Sequence, residues 1–384
     1  MEATRRGFVR VLGSGAAIAA AGGLLSGCWD MPDSAVEGWE GPTADLRDPR
    51  VRALAFAILA PNSHNKQAWS VDLSRADEIA LHVDRTRLLP ETDPFSRQIM
   101  IGQGTFLELL AMAAAAQGYR AETSLFPDGV FAADAVDARP VARVRLVRDD
   151  GVVRDPLFEQ ALRRRTNREP FEATPLSPEH GAGLARAVTG GSVRFGIASG
   201  APDVARLRRI GEAAWDAEIM TPRALKESID VTRIGAAEIG RHRDGISVTG
   251  FMPWFGKAVG LVTPASMIEP DSMGFRIGLE MGRTHARTAA AFAWLVTLGN
   301  DRVQQVEVGR AYLRLHLQAT ALGVAFHPMS QALQEYAEVQ AAQRDLYQAL
   351  RIPAGETVQM LVRLGYAEVP DPSPRRPLQT FLRA

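Results

Sequence analysis

Two short stretches hold most of the side chains that could do chemistry. Arg163 to Phe171 reads RRRTNREPF, four arginines with a hydroxyl and an amide set among them. Guanidinium forks pair with phosphate bidentately, and a hydroxyl with backbone N–H groups completes such a cradle. The stretch therefore reads as an anion site; its competing reading is a charge run that caps the C-terminal dipole of the preceding helix. The Thr166–Asn167 pair, breaking the run, favours the anion site. The second stretch, APNSHNKQAW from Ala60 to Trp69, gathers short hydrogen-bonding side chains that neither a helix nor a strand would select.

Other chemistries lack their signatures. The seven histidines show no HExxH spacing, and neither a G-x-S-x-G elbow nor a GxxxxGK[ST] loop occurs. His316 lies in an apolar helical run and reads as a core group, and no metal site is expected. Forty-four basic residues balance forty-four acidic ones, so there is no basic excess for nucleic acid. Cys28 is the only cysteine, which leaves the fold no disulfide, no thiol nucleophile and no thiolate metal ligand.

The elements that must position these residues follow from periodicity. Val51, Leu54, Ala55, Ile58 and Leu59 recur at helical spacing until Pro61 ends the run. Strands are expected at Trp69 to Leu73, Ile79 to Val83, Ala121 to Phe126 and Val141 to Val147, then at Phe292 to Leu298 and Thr357 to Leu364. Helices are expected at Leu107 to Gln117, Pro156 to Arg165, across Pro202 to Arg241 and at Val303 to Leu322. His242 to Pro270, with Met252, Pro253, Trp254 and Phe255, reads as a lid or a packed crossover.

The N-terminus reads as a targeting segment. TRRGFVR is followed by Val11 to Gly27 without a charge, in the manner of a twin-arginine export signal. Leu25-Ser26-Gly27-Cys28 looks like a lipobox that would make Cys28 an acylated mature N-terminus. The expected organisation is a signal over 1–28, a tether over 29–45, a first half over 46–150 and a second over 151–384. The expected location is outside the cytoplasm, on a membrane through the lipid, with the twin-arginine machinery as a partner.

An internal repeat supports the two-half reading. Gly104-TFLELLAMAAAAQ-Gly118 and Gly309-RAYLRLHLQATAL-Gly323 have the same spacing between glycines and stand 205 positions apart. Each is followed by a short strand candidate and a proline, Pro127 and Pro328. One chain built from two such units would act as a monomeric pseudo-dimer.

With those residues in view, the chain resembles the flavin-dependent nitroreductases. APNSHNKQAW is similar to that family's Ser-x-x-Asn-x-Gln-Pro-Trp segment, with Ala68 for the proline. RRTNREPF resembles its Arg-x-Ser-x-Arg/Lys-x-Phe segment with one extra residue before Phe171. The segments from Gly323 to Gln331 and from Arg363 to Leu378 resemble its flavin-edge loop and its terminal segment. Their order resembles the Acg-type branch, in which two nitroreductase-like halves are fused. The resemblance implies an α+β nitroreductase-like fold, FMN as cofactor and a small electron-poor molecule as acceptor. Arg164 and Thr166 would hold the phosphate with Arg375 and Arg376, and Arg168 the N1–C2 side. Ser63, Asn65 and Gln67 would meet the polar rim, where amides present donor and acceptor together. Pro328, Met329 and Ser330 would line the N5 edge, with Gln331 where the family commonly has glycine. The flavin does the hydride chemistry, so no protein general base is required. The alternative is a flavin-binding protein without turnover.

Overall fold

The computed structural model describes residues 26–188 and 191–383, so the twin-arginine stretch lies outside the described residues. Two four-stranded antiparallel sheets organise the chain. The first joins β1 (Trp69–Asp72), β2 (Glu78–Val83), β3 (Tyr119–Leu125) and β4 (Ala142–Arg148) in the order β1-β2-β4-β3. Period-two alternation explains β4: Ala142, Val144 and Leu146 are buried while Arg145 points to solvent. The second sheet joins β5 (Arg194–Ala198), β8 (Ala291–Leu298), β9 (Ala325–Pro328) and β10 (Glu356–Gly365) in the order β5-β8-β10-β9. A small parallel pair, β6 (Thr232–Ile234) with β7 (Ile246–Val248), lies apart.

Helices of five or more residues are α1 (Pro49–Ala57), α2 (Arg97–Ala115), α3 (Pro178–Arg186), α4 (Ala201–Ile219), α5 (Pro222–Asp230) and α6 (Ala236–His242). They continue as α7 (Phe251–Ala258), α8 (Pro264–Ile268), α9 (Met273–Arg287), α10 (Arg302–Ala321) and α11 (Gln340–Leu350). This is the expected α+β class.

The two repeated helices, α2 and α10, pack on each other between the sheets, and the repeat glycines mark where they cross. A Cβ on Gly104 would sit 1.9 Å from the Val306 carbonyl oxygen, and one on Gly309 would sit 2.0 Å from that of Ile101. Equivalent positions meeting each other is what a two-fold axis produces. Arg97 and Arg302, also 205 positions apart, extend the symmetry. Arg97 donates to the Gln359 and Leu333 carbonyls beside the second sheet. Arg302 donates to the Ala132 and Ala135 carbonyls beside the first. Each helix thus anchors itself in the sheet region of the other copy.

Several boundaries differ from the sequence reading. The helix expected from Leu107 begins at Arg97, where Asp93 accepts the Gln98 and Ile99 amides; its first turns contain Gln and Gly, which hid it from an apolar pattern. The helix expected over Pro156 to Arg165 is a single 3-10 turn, Pro156–Gln160. Beyond it the Asn167 amide is held by the Phe326 carbonyl, which pulls the chain off any helical path. The stretch from 202 to 241 is broken by Pro222 and by β6. Nor is 29–45 a free tether, because Trp39 is buried and its Nε1 donates to the Ser373 carbonyl.

Candidate functional site

A cavity of about 180 Å³ opens beside the α2–α10 pair and draws its walls from distant parts of the chain. Ser63 and His64 come from the loop after α1, and Thr166 and Arg168 from the arginine-rich loop. Pro328, Met329 and Ser330 lie at the end of β9, and Trp215, Glu218 and His285 come from α4 and α9. Six of the residues expected at the site are therefore brought together: Ser63, Thr166, Arg168, Pro328, Met329 and Ser330.

Five are not. Asn65, Gln67, Arg164, Arg375 and Arg376 do not line the cavity, and most of their polar atoms are engaged elsewhere in the chain. Asn65 Nδ2 donates to the Pro374 carbonyl, and its Oδ1 accepts from Arg375. Gln67 Nε2 donates to the Arg243 carbonyl at 2.9 Å, and its Oε1 accepts the Arg376 amide at 3.0 Å. Arg375 also spans the carbonyls of Ile58, Leu59 and Ala60, and Arg164 reaches Leu59. The Arg376 guanidinium lies over Phe381, 4.6 Å from the ring centre. These side chains fasten the loop to the C-terminal segment. The loop needs fastening, since His64, Asn65 and Gln67 all have positive φ, a region that non-glycine residues rarely enter.

The charge of the region is one-sided. Among the described residues no carboxylate forms an ion pair with Arg164, Arg165, Arg168, Arg363 or Arg375, and burial lowers the pKa of every one. Arg164, Arg165 and Arg375 surround the Trp39 ring at 5.3, 4.6 and 5.1 Å. Arg164 and Arg165 each keep a buried Nε without a partner. Arg168 faces the cavity. Isolated cations taken out of water are costly, so the arrangement calls for an anion from outside the chain.

Three imidazoles on the cavity wall were not foreseen as site residues. Burial, followed by the Arg168 charge, holds His64 down to about 4. Burial, followed by Arg363 and Arg168, holds His285 down to about 3. His327 is also depressed well below its ordinary value, by burial first and Arg363 next. All three are neutral at physiological pH. Arg363 Nε donates to His327 Nδ1 at 2.9 Å, which leaves the His327 proton on Nε2. These histidines lie on a loop, a helix and a strand 221 and 42 positions apart, so no local spacing could have revealed them.

At the other end of the cavity, Glu218 is buried and accepts from Ser228 Oγ and Gln334 Nε2. Burial raises its pKa. Gln331 Oε1 and His64 Nδ1 are buried without partners. Of the stretch expected as a lid, only Ile246 lines the cavity; Trp254 instead packs against Trp29. Trp215 of α4 and Met281 of α9 also line the cavity.

The fold is α+β, and its cavity is lined by neutral imidazoles and a buried arginine that meets no carboxylate among the described residues. No family model matches the chain, and the curated proteins similar to it align over most of its length. It is 27% identical over 343 residues to a putative NAD(P)H nitroreductase, Rv3131, of Mycobacterium tuberculosis H37Rv, covering 85% of this chain and 88% of the relative. It is 27% identical over 356 residues to the putative NAD(P)H nitroreductase acg of the same strain, covering 85% and 92%. Among solved structures it is similar to the FMN-dependent nitroreductase NfnB of Mycobacterium smegmatis in complex with NADPH. There the TM-score is 0.36 and the identity 17%, over 59% of this chain and 97% of that one.

Proposed function

We propose that the protein is an FMN-dependent oxidoreductase that passes hydride equivalents to a small electron-poor acceptor. The observation that carries this reading is the group of five arginines without ion pairs, one of which faces the cavity. A flavin phosphate and the electron-rich edge of a reduced ring are anions of the kind such a site needs. Donors dominate the Arg168 end of the cavity: the guanidinium itself, the Thr166 hydroxyl and the His327 Nε2–H. These groups would hold and orient FMN, while Met281 and Trp215 limit water above it. When bound, FMN supplies the redox centre, and the chain contributes binding, orientation and electrostatics.

The names of the relatives support a nicotinamide donor. TRRGFVR and the Leu25–Cys28 lipobox support export by the twin-arginine route and a lipid anchor at Cys28, which in the structure is a free, half-exposed thiol. A second reading, flavin binding without turnover, is favoured by the Gln331 side chain at the edge of the cavity. A nitroaromatic or quinone added to the reduced holoprotein separates the two readings, since only an oxidoreductase is reoxidised by it.

Arg168→Ala tests the site itself. Losing a charge-assisted contact is expected to weaken FMN retention by about 2 kcal/mol, roughly thirtyfold. The same change removes an unpaired cation, so the flavin-free protein should melt at a higher temperature. FMN binding unchanged in the variant, read by absorbance titration, sinks the assignment.

A further inference from the structure

Seven of the fifteen exposed large apolar side chains among the described residues fall between 252 and 281. They are not scattered. Met252 and Phe255 of α7 and Val259 just past its end recur at three and four, and Met273, Ile277 and Met281 recur at four along α9. Each set is one stripe of its helix, and each stripe faces solvent, the reverse of the usual burial. The turn after α7, closed by the Leu261 and Val262 amides on the Gly256 carbonyl, exposes Leu261 as well. It leads to α8, whose Ser266 and Met267 pack against Gly274 of α9. Monomeric proteins rarely leave such a surface uncovered, so a partner is implied.

The chain's own N-terminal side says which partner. Trp29 packs on Phe251 and Trp254 of α7 at 5.3 and 5.4 Å. The Cys28 carbonyl lies 3.2 Å from where a Cβ on Gly235 would stand, beside Trp254. The uncharged stretch Val11 to Gly27 therefore joins the folded body at the edge of the apolar face. Tryptophans at such a junction are also the side chains that favour a lipid–water boundary. The one described helix long and apolar enough to span a membrane, Arg97–Ala115, is buried in the core.

We propose that the α7–α9 face docks on the surface of a lipid bilayer, with the apolar stripes resting at the headgroup–acyl boundary. Met281 belongs both to this face and to the cavity wall. Docking accordingly turns that wall toward the lipid. The proposal does not depend on the flavin.

The native methionines report on it. Met252 and Met273 are 72% and 68% exposed on the face, and Met220, 57% exposed at the end of α4, serves as an internal control. The full chain is treated with dilute peroxide, free or mixed with phosphatidylcholine–phosphatidylglycerol vesicles, and sulfoxides are located by mass spectrometry. Vesicles should slow oxidation of Met252 and Met273 about fivefold or more and leave Met220 unchanged. In Phe255→Glu/Ile277→Glu the protection should disappear; Ile277→Glu alone serves if the pair misfolds. Equal rates with and without vesicles overturn the proposal. Protection that is present without lipid and fades on dilution also overturns it, in favour of a second copy of the chain.

Discussion

Gln67 is fully buried, and both ends of its amide reach backbone from remote parts of the chain, Arg243 and Arg376. It is a fastener, and its removal should register in stability before anything else. Gln67→Ala leaves a buried carbonyl and a buried amide without partners, at an expected cost of about 2–4 kcal/mol in urea unfolding. If the variant keeps its stability and loses only FMN, Gln67 is a ligand contact and the fastener reading is wrong. The same distinction explains how far the site was legible. Ser63, Thr166 and Arg168 could be named from their segments, because residue type and order along the chain persist in folding. That Asn65 would bond to Arg375, and Gln67 to the Arg376 amide, could not, because each pair meets only after segments some 300 positions apart come together. The cavity histidines escaped for the same reason.

At the level of elements, the alternating or continuously apolar strands were legible: β1 to β4, β8 and β10 all lie within a few residues of their expected positions. β5, Arg194–Ala198, was not, as its short run contains a glycine that looks like loop. That glycine is required by packing, since a Cβ on Gly196 would stand 2.2 Å from the Trp294 ring. The α2–α10 crossing imposes a stricter demand. Gly104→Ala must push two long helices apart, against a backbone carbonyl that cannot yield, and is expected to cost about 3 kcal/mol or more. Gly278 in α9 has nothing within 4 Å of its would-be Cβ, so Gly278→Ala should stabilise by about 0.5–1 kcal/mol. Denaturant midpoints for the pair should move in opposite directions; a shared direction would mean that helix propensity, not the crossing, sets both.

Across the whole molecule the buried titratable groups make stability depend on pH. His64, His285, His316 and His327 all have depressed pKa values, chiefly through burial. Between pH 6.5 and about 4 the unfolded chain binds protons that the folded chain does not, so stability falls on acidification. Each imidazole contributes at most about 1.4 kcal/mol per pH unit. Asp93 acts oppositely: burial raises it to about 6, so through most of that window the folded state holds its proton and gains as pH falls. Glu218, whose carboxyl pKa burial also raises, acts with Asp93, and four imidazoles against these two carboxyls should leave a net loss. Melting temperatures of the flavin-free protein should therefore drop from pH 7 to 4.5, and His316→Phe should flatten the slope. A flat profile in the parent would mean that the imidazoles are charged in the fold.

The meeting of Gly104 with Gly309 also bears on how such a chain accepts mutations. A homodimer receives every substitution twice, in both copies and at both sites. Here a change at one position leaves its counterpart 205 residues away untouched, and the copies are free to diverge in role. Thr105 and Tyr312 line the cavity. Their counterparts have drifted: position 310 is an arginine near Glu108 and Glu307, and Leu107 has sunk into the core. At the crossing itself, where each copy is the other's wall, the two glycines remain a matched pair.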